Sequence, residues 1–156
     1  MSAVAQELVI ITGPSGAGKT SFKMQVAQHP YGAAVYEEDG RGVSKAMRAK
    51  WVAEEAELIV VVTTESAVKL AVAFAKEHGL VPQVVFVQDP GQESTEYLDA
   101  IRAAAAHGIF SQLHVVHRST PESSTDMRTH KWTLVETDSK KMPSWMAVVR
   151  FQQSQD

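Results

Sequence analysis

The chain contains no cysteine, which excludes disulfide frameworks, thiolate zinc sites, iron–sulfur clusters and a cysteine nucleophile together. Long apolar runs are also missing: Leu58–Val62 is five residues and Leu70–Ala75 six, against the ~20 that a membrane helix requires. No basic segment leading into an apolar core opens the sequence, so no secretory signal is expected and a cytoplasmic setting is. Positive charge is not in excess. Fifteen Lys and Arg stand against 18 Asp and Glu, for a net charge of −3. No global positive field therefore marks a nucleic-acid binder, although a localized basic surface stays open. What remains is 156 residues, 44% hydrophobic and 21% charged, the profile of one globular domain spanning residues 1–156. Such a length buries roughly two-thirds of the unfolded surface and needs no covalent staple.

Along the chain, short β-branched runs alternate with segments of helical period. Leu8–Ile11 reads as a buried strand, and a helix is expected from Lys19 to Gln28, stopped by His29-Pro30. Ala33–Tyr36 predicts a second strand that ends in Glu37-Glu38-Asp39-Gly40. Val43, Met47 and Trp51, four apart, predict a helix to about Glu57. Leu58–Val62 predicts a third strand. The next helix is capped by Thr64 or Ser66 and turns Ala67, Leu70, Ala71, Phe74, Ala75 and His78 to one face, with Gly79 as its stop. Val84–Val87 predicts a fourth strand, Tyr97–Ala105 a helix ending at His107-Gly108, and Leu113–Val116 a fifth strand. Arg118–His130 reads as a polar functional loop, and Trp132–Val135 and Met146–Phe151 as two closing strands. Repeated strand–helix alternation implies parallel strands with right-handed crossovers. The expected fold is a three-layer α/β domain with a mainly parallel sheet and antiparallel strands at its C-terminal edge.

One segment carries specific chemistry. Gly13-Pro14-Ser15-Gly16-Ala17-Gly18-Lys19-Thr20 is a complete G-x-x-x-x-G-K-[ST] phosphate loop between a buried strand and a helix. Small residues let the backbone wrap closely and aim successive N–H groups at phosphate oxygens. Lys19 brings a point charge to the β- and γ-phosphates, the Thr20 hydroxyl is suited to Mg²⁺, and Ser21 follows in the first helical turn. ATP and Mg²⁺ are the expected ligands.

A magnesium-side carboxylate is expected at the end of a neighbouring apolar strand. Two strands compete. Leu58–Val62 runs into Thr63-Thr64-Glu65 without an Asp, whereas Val84–Val87 runs through Gln88 into Asp89, which is the preferred candidate. Glu93 either polarises an attacking water or serves only as a first-turn helix acid. Glu37, Glu38 and Asp39 end a strand at the same sheet edge and read chiefly as a solvated acidic turn. His117 ends the fifth strand, where it is a candidate γ-phosphate sensor, and His114 lies three residues before it.

Taken in order, these pieces resemble the FtsK–HerA family of DNA-pumping ATPases, especially the small viral genome-packaging ATPases. The resemblance rests on Leu8–Thr20, on Ala33–Gly40 with its terminal acids, and on Val84–Asp89 leading into Glu96–Ala106. It continues through His107-Gly108-Ile109 and Leu113–Thr120. The sequence departs from the family at Asp89-Pro90, where an Asp-Glu pair is usual, and at His117, where the sensor is commonly Gln. The resemblance implies a RecA/FtsK-like fold and hydrolysis of Mg·ATP coupled to double-stranded DNA translocation. It further implies ring assembly, commonly hexameric, with an arginine from a neighbour; Arg102, Arg118 and Arg128 are the candidates. Capsid or membrane partner proteins, and a cytoplasmic or virion-associated location, belong to the same expectation. Lys131, Lys140 and Lys141 either line a lumen and contact DNA or are solvated surface charges. The alternatives are a nucleoside-phosphate-type kinase and a nucleotide-binding protein with weak or lost hydrolysis. A GTPase is disfavoured because no Asn-Lys-x-Asp motif occurs.

Overall fold

The computed structural model describes residues 7–14, 17–28, 33–38, 58–77, 79–88, 96–119, 130–138 and 143–151. Six strands form one sheet: β1 (Glu7–Thr12), β2 (Ala33–Glu38), β3 (Leu58–Thr63), β4 (Gln83–Gln88), β5 (Gln112–Arg118) and β6 (Trp132–Thr137). Among the described residues three helices accompany them: α1 (Lys19–Val26), α2 (Val68–Glu77) and α3 (Glu96–Ala106). The helix expected between Val43 and Glu57 lies outside the described residues.

The order across the sheet is β2-β3-β1-β4-β5-β6. Its first five strands are mutually parallel, and β6 joins β5 antiparallel with a register shift between Val115 and Val116. β1 is central because its apolar run serves both faces of the sheet, the signature of a parallel strand covered on both sides. Leu8 and Ile10 face one way, with Ile59, Val61 and Phe86, beneath Ala71 and Phe74 of α2 and Leu98 and Ile101 of α3. Val9 and Ile11 face the other way, with Val60, Val85 and Val87, beneath Phe22 and Val26 of α1. The result is a three-layer α/β domain with a mainly parallel sheet. Among the described residues, no helix is long and apolar enough to cross a membrane.

Helix ends follow the expected chemistry. Gly79 (φ 70°) and Gly108 (φ 83°) stop α2 and α3 in the left-handed conformation, and the next N–H groups return to Ala75 and Ala104. α2 differs at its start, where a 3₁₀ turn (Glu65–Ala67) precedes it. Neither hydroxyl caps it in the expected way: the Thr64 and Ser66 hydroxyls pair with each other at 3.1 Å. Leu70, expected on the buried face, is 40% exposed, and Val68 is buried in its stead.

The second closing strand is corrected. Ser144–Val148 is a 3₁₀ turn opened by Pro143, and Phe151 makes only an isolated bridge to Trp132. A strand would send the consecutive residues Trp145 and Met146 to opposite faces, whereas the tighter turn buries both in one core. Trp145 packs edge-on to Phe22 (6.1 Å) and His114 (5.6 Å) and donates to Gln83 Oε1 at 2.8 Å.

Gln25 of α1 ties this segment down. Its Nε2 donates to the His130 carbonyl and its Oε1 accepts from the Arg150 N–H, both at 2.8 Å, in a fully buried position. Gln25→Ala removes both partners, and each buried group left unpaired costs about 1–3 kcal/mol. The urea midpoint is expected to fall by an amount worth at least about 2 kcal/mol at unchanged m value.

His114 is fully buried, with Nδ1 2.9 Å from Thr137 Oγ1 and Nε2 3.2 Å from Gln112 Oε1. Burial lowers its pKa to about 4 against the weaker upward pull of Asp138. The unfolded chain therefore binds more protons between about pH 6.5 and 4, so stability rises with pH across that window. Above it His114 contributes no pH dependence. As pH falls through the window, stability is expected to drop at up to about 1.4 kcal/mol per unit, a slope that His114→Gln would flatten in pH-dependent denaturation.

Candidate functional site

The site forms where β1 and its neighbour β3 end side by side and their connections leave on opposite faces of the sheet. The loop after β1 runs to α1 on one face, and the turn after β3 runs to α2 on the other. In open α/β sheets, divergence of this kind opens a crevice at the carboxyl edge, where ligands bind. Here the crevice is an open cavity of about 450 Å³ lined by Gly13, Pro14 and Lys19 from the first loop and Thr64, Glu65 and Ser66 from the second.

Glycine is required where the loop leaves β1. Gly13 has φ 147°, and a Cβ there would lie 2.2 Å from the Val87 carbonyl oxygen of β4. The loop can start only by pressing its bare backbone onto the adjacent strand. Gly13→Ala would have to displace β4 backbone, and overpacking of this kind costs about 1–3 kcal/mol. The expected outcome is a lower melting temperature, checked by thermal denaturation of the variant beside wild type.

At the loop's far end Gly18 (φ 107°) precedes α1 with no side-chain cap, and α1 has no acidic residue in its first turn. The first N–H groups of a helix lack internal partners and carry the positive end of its dipole, which favours an anion at this place. Lys19 folds back over the loop, and its Nζ donates to the Gly13 carbonyl at 2.8 Å. Burial pulls the ammonium pKa below the ordinary lysine value, and the charge of Glu65 across the crevice opposes that pull. Glu65 is itself exposed.

A polar pair lies at the base of the site. The buried Thr12 hydroxyl, at the end of β1, is 2.8 Å from the hydroxyl of Tyr97 on α3. Burial raises the Tyr97 pKa to about 12, partly offset by the Thr12 bond, and Glu65 adds to the rise. Tyr97 therefore stays a neutral phenol that fixes the start of α3 against the root of the loop.

The structure distributes the expected site residues unevenly. Gly13, Pro14 and Lys19 line the crevice, and Ala17 is buried behind them with its N–H 3.3 Å from the Pro14 carbonyl. Thr20 is exposed on the first turn of α1. Ser21 is buried, with its hydroxyl 3.1 Å from His130 Nδ1, so its side chain serves packing rather than the crevice. Ser15, Gly16, Asp89, Glu93, Asp39, Arg128, Lys140 and Lys141 lie outside the described residues.

Both strands weighed for the carboxylate flank β1 directly, β4 on one side and β3 on the other. Asp89 would follow β4, but the acid found in the crevice among the described residues is Glu65, after β3. His117 pairs in register with Gln88 on β4, two strands from β1, with its Nδ1 3.3 Å from the Arg118 carbonyl oxygen. It is not among the crevice-lining residues. Glu37 lies within β2, exposed, with its carboxylate 3.7 Å from Lys23 Nζ. Arg102 is held by Glu136 (2.7 Å) and Asp99 (2.9 Å).

Oxygen donors line the second wall of the crevice. Mg²⁺ prefers oxygen ligands, keeps several waters, and is usually held by one or two carboxylates together with substrate phosphates. Glu65, Thr64 and Ser66 supply oxygens at the crevice wall, and no group of three or more His, Asp or Glu occurs among the described residues. No protein-family model matches the chain, and no curated protein and no solved structure matches it either.

Proposed function

We propose that the chain is a P-loop ATPase that binds Mg·ATP in the crevice between the β1 and β3 loops and hydrolyses it. The observation that carries this reading is Lys19 of the phosphate-loop motif at the uncapped start of α1, facing Glu65 across an open cavity. The loop N–H groups and Lys19 bind the phosphates and offset the negative charge that develops on them in the transition state. The water oxygen attacks the γ-phosphorus, the bond to the β,γ-bridging oxygen breaks with its electron pair leaving on ADP, and Glu65 accepts the water's proton. Thr20 and Asp89 would hold magnesium, which when bound neutralises charge on the β- and γ-phosphate oxygens.

DNA enters through the family resemblance. The same order of loop, acid-ended strands and polar β5 terminus supports a motor that moves double-stranded DNA, as in genome packaging, and that works as a ring. Lys131, exposed just before β6, is one of the cations expected along such a track. Phosphate release from Mg·ATP, measured with and without double-stranded DNA, tests the reading. Release stimulated by DNA supports the motor. Transfer of the γ-phosphate to an added nucleoside monophosphate, with no stimulation by DNA, would replace it with the kinase alternative.

A further inference from the structure

We infer that Tyr97 is a positioning residue for the proposed hydrolysis: through Thr12, its hydroxyl sets the direction in which the phosphate loop leaves β1. The inference rests on the ATPase reading above and adds a residue that this reading does not use. Thr12 is the last residue of β1, fully buried, and pairs in register with Phe86 of β4. Tyr97 stands on the first turn of α3, half-buried, with its ring 5.6 Å from that of Phe86 and its hydroxyl 2.8 Å from Thr12 Oγ1. One side chain thus touches both strands at the level where the loop begins. The next residue, Gly13, lines the crevice, and its carbonyl accepts from Lys19 Nζ at 2.8 Å. Gly13 has no slack toward β4, since a Cβ there would stand 2.2 Å from the Val87 carbonyl oxygen. A turn of Thr12 about the strand axis therefore carries the Gly13 carbonyl and the Lys19 ammonium with it.

The chemistry of the pair argues for direction rather than stability. Valine and phenylalanine would fill the same space. Exchanging both partners of a buried hydrogen bond for apolar groups of that shape is nearly neutral for folding. Apolar contact holds a side chain in place without fixing its angle, whereas a hydrogen bond weakens steeply as it bends. Burial raises the Tyr97 pKa to about 12, so the phenol keeps its proton throughout the working range. The pair accordingly exchanges no proton with the reaction and acts only through the geometry of the loop. In-line attack on the γ-phosphorus tolerates little displacement, and a shift of about 1 Å can cost about 100-fold in rate. Phosphate binding is spread over several donors and tolerates more.

The test measures Mg·ATP turnover, with double-stranded DNA present, and melting temperature in wild type, Tyr97→Phe, Thr12→Val, Thr12→Ser and Lys19→Ala. A double variant carrying Tyr97→Phe and Thr12→Val completes the set. Tyr97→Phe and Thr12→Val are each expected to lower kcat by about 10- to 100-fold, with KM within about threefold of wild type. The loss should be the same from about pH 6 to 9, because no proton transfer is removed. The double variant should melt near wild type, since no hydroxyl is left unpaired, yet stay as slow as the single variants. Thr12→Ser keeps the hydroxyl and loses a buried methyl, so it should recover most of the rate lost in Thr12→Val while melting lower than wild type. Wild-type kcat in the double variant, or a rate that follows the melting temperature rather than the hydroxyl, would overturn the inference. If turnover still requires Lys19 in that case, the ATPase reading stands without it. No turnover in wild type, or turnover unaffected by Lys19→Ala, would instead sink that reading and the inference with it. Should Tyr97→Phe fail to fold, the comparison of Thr12→Val with Thr12→Ser decides alone.

Discussion

Lys19→Ala is expected to weaken Mg·ATP binding by about 100-fold while leaving the melting temperature within a few degrees of wild type. The separation follows from where the side chain sits. Among the described residues its acceptor is the carbonyl of Gly13, a residue that lines the open crevice, so water can replace the lysine when it is removed. The folded state also loses a cation at a helix N-terminus, where positive charge is unfavourable. Any stability cost is therefore small. A bound triphosphate, in contrast, loses a charge-assisted hydrogen bond in a partly desolvated place, where such bonds are strongest. The lowered Lys19 pKa adds a pH signature. Affinity should begin to fall with rising pH before an ordinary lysine would deprotonate, and that fall should be absent from Lys19→Ala. Isothermal titration across pH, paired with thermal denaturation, reads both effects.

Glu65→Gln is expected to lower the rate of ATP hydrolysis by about 10²–10⁴-fold, the usual worth of a general base, with little change in nucleotide affinity. Glutamine keeps the volume and one acceptor oxygen but cannot take a proton, so the variant separates proton transfer from packing. Since Glu65 is exposed on a 3₁₀ turn, the substitution should not disturb the fold. The effect should appear in kcat with KM nearly constant, because an interaction that matters only in the transition state leaves ground-state binding unchanged. Asp89→Asn is the informative companion. If it alone abolishes turnover and Glu65→Gln does not, the carboxylate belongs to β4 rather than β3.

The Glu65–Asp89 question shows what sequence patterning can and cannot carry. Leu8–Ile11, Leu58–Val62 and Val84–Val87 read as buried strands because continuous apolar runs serve two faces, and all three stand in the sheet. The phosphate-loop motif was legible because its glycines mark backbone approaches that only a bare Cα permits, as the Gly13 contact with Val87 illustrates. Which strand neighbours β1 was not legible. Pairing is decided by crossovers tens of residues long, and a local pattern cannot rank two apolar strands that both end near acids. β1 in fact has both as neighbours, so an Asp after one strand outweighed a Glu two residues beyond the other on residue type alone.

Other differences have equally local causes. Met146–Phe151 is apolar enough for a strand, but the demand to bury both Trp145 and Met146 on one side favours the 3₁₀ turn. The Thr12–Tyr97 pair joins residues 85 apart in sequence, and the Gln25–Arg150 bond joins residues 125 apart. Such contacts leave no periodic trace in sequence. Gln25 would have been visible only as a polar residue one position before Val26 on the buried side of α1. Arg118 was legible as a basic residue at the sheet's carboxyl edge, but its approach to Gly18 depends on how Trp132 seats the β5–β6 end against Phe22.

The central claim is that the crevice between the β1 and β3 loops is a nucleoside triphosphate site. The most direct test follows the backbone amide resonances of the wild-type chain as Mg·ATP is added to saturation. The account predicts the largest shifts at Gly13, Ala17, Gly18 and Lys19 on one wall and at Glu65 and Ser66 on the other, with Val81 and Ile109 at the opposite edge of the sheet unmoved. Saturable shifts confined to other surfaces, or no shifts at millimolar Mg·ATP, would contradict it.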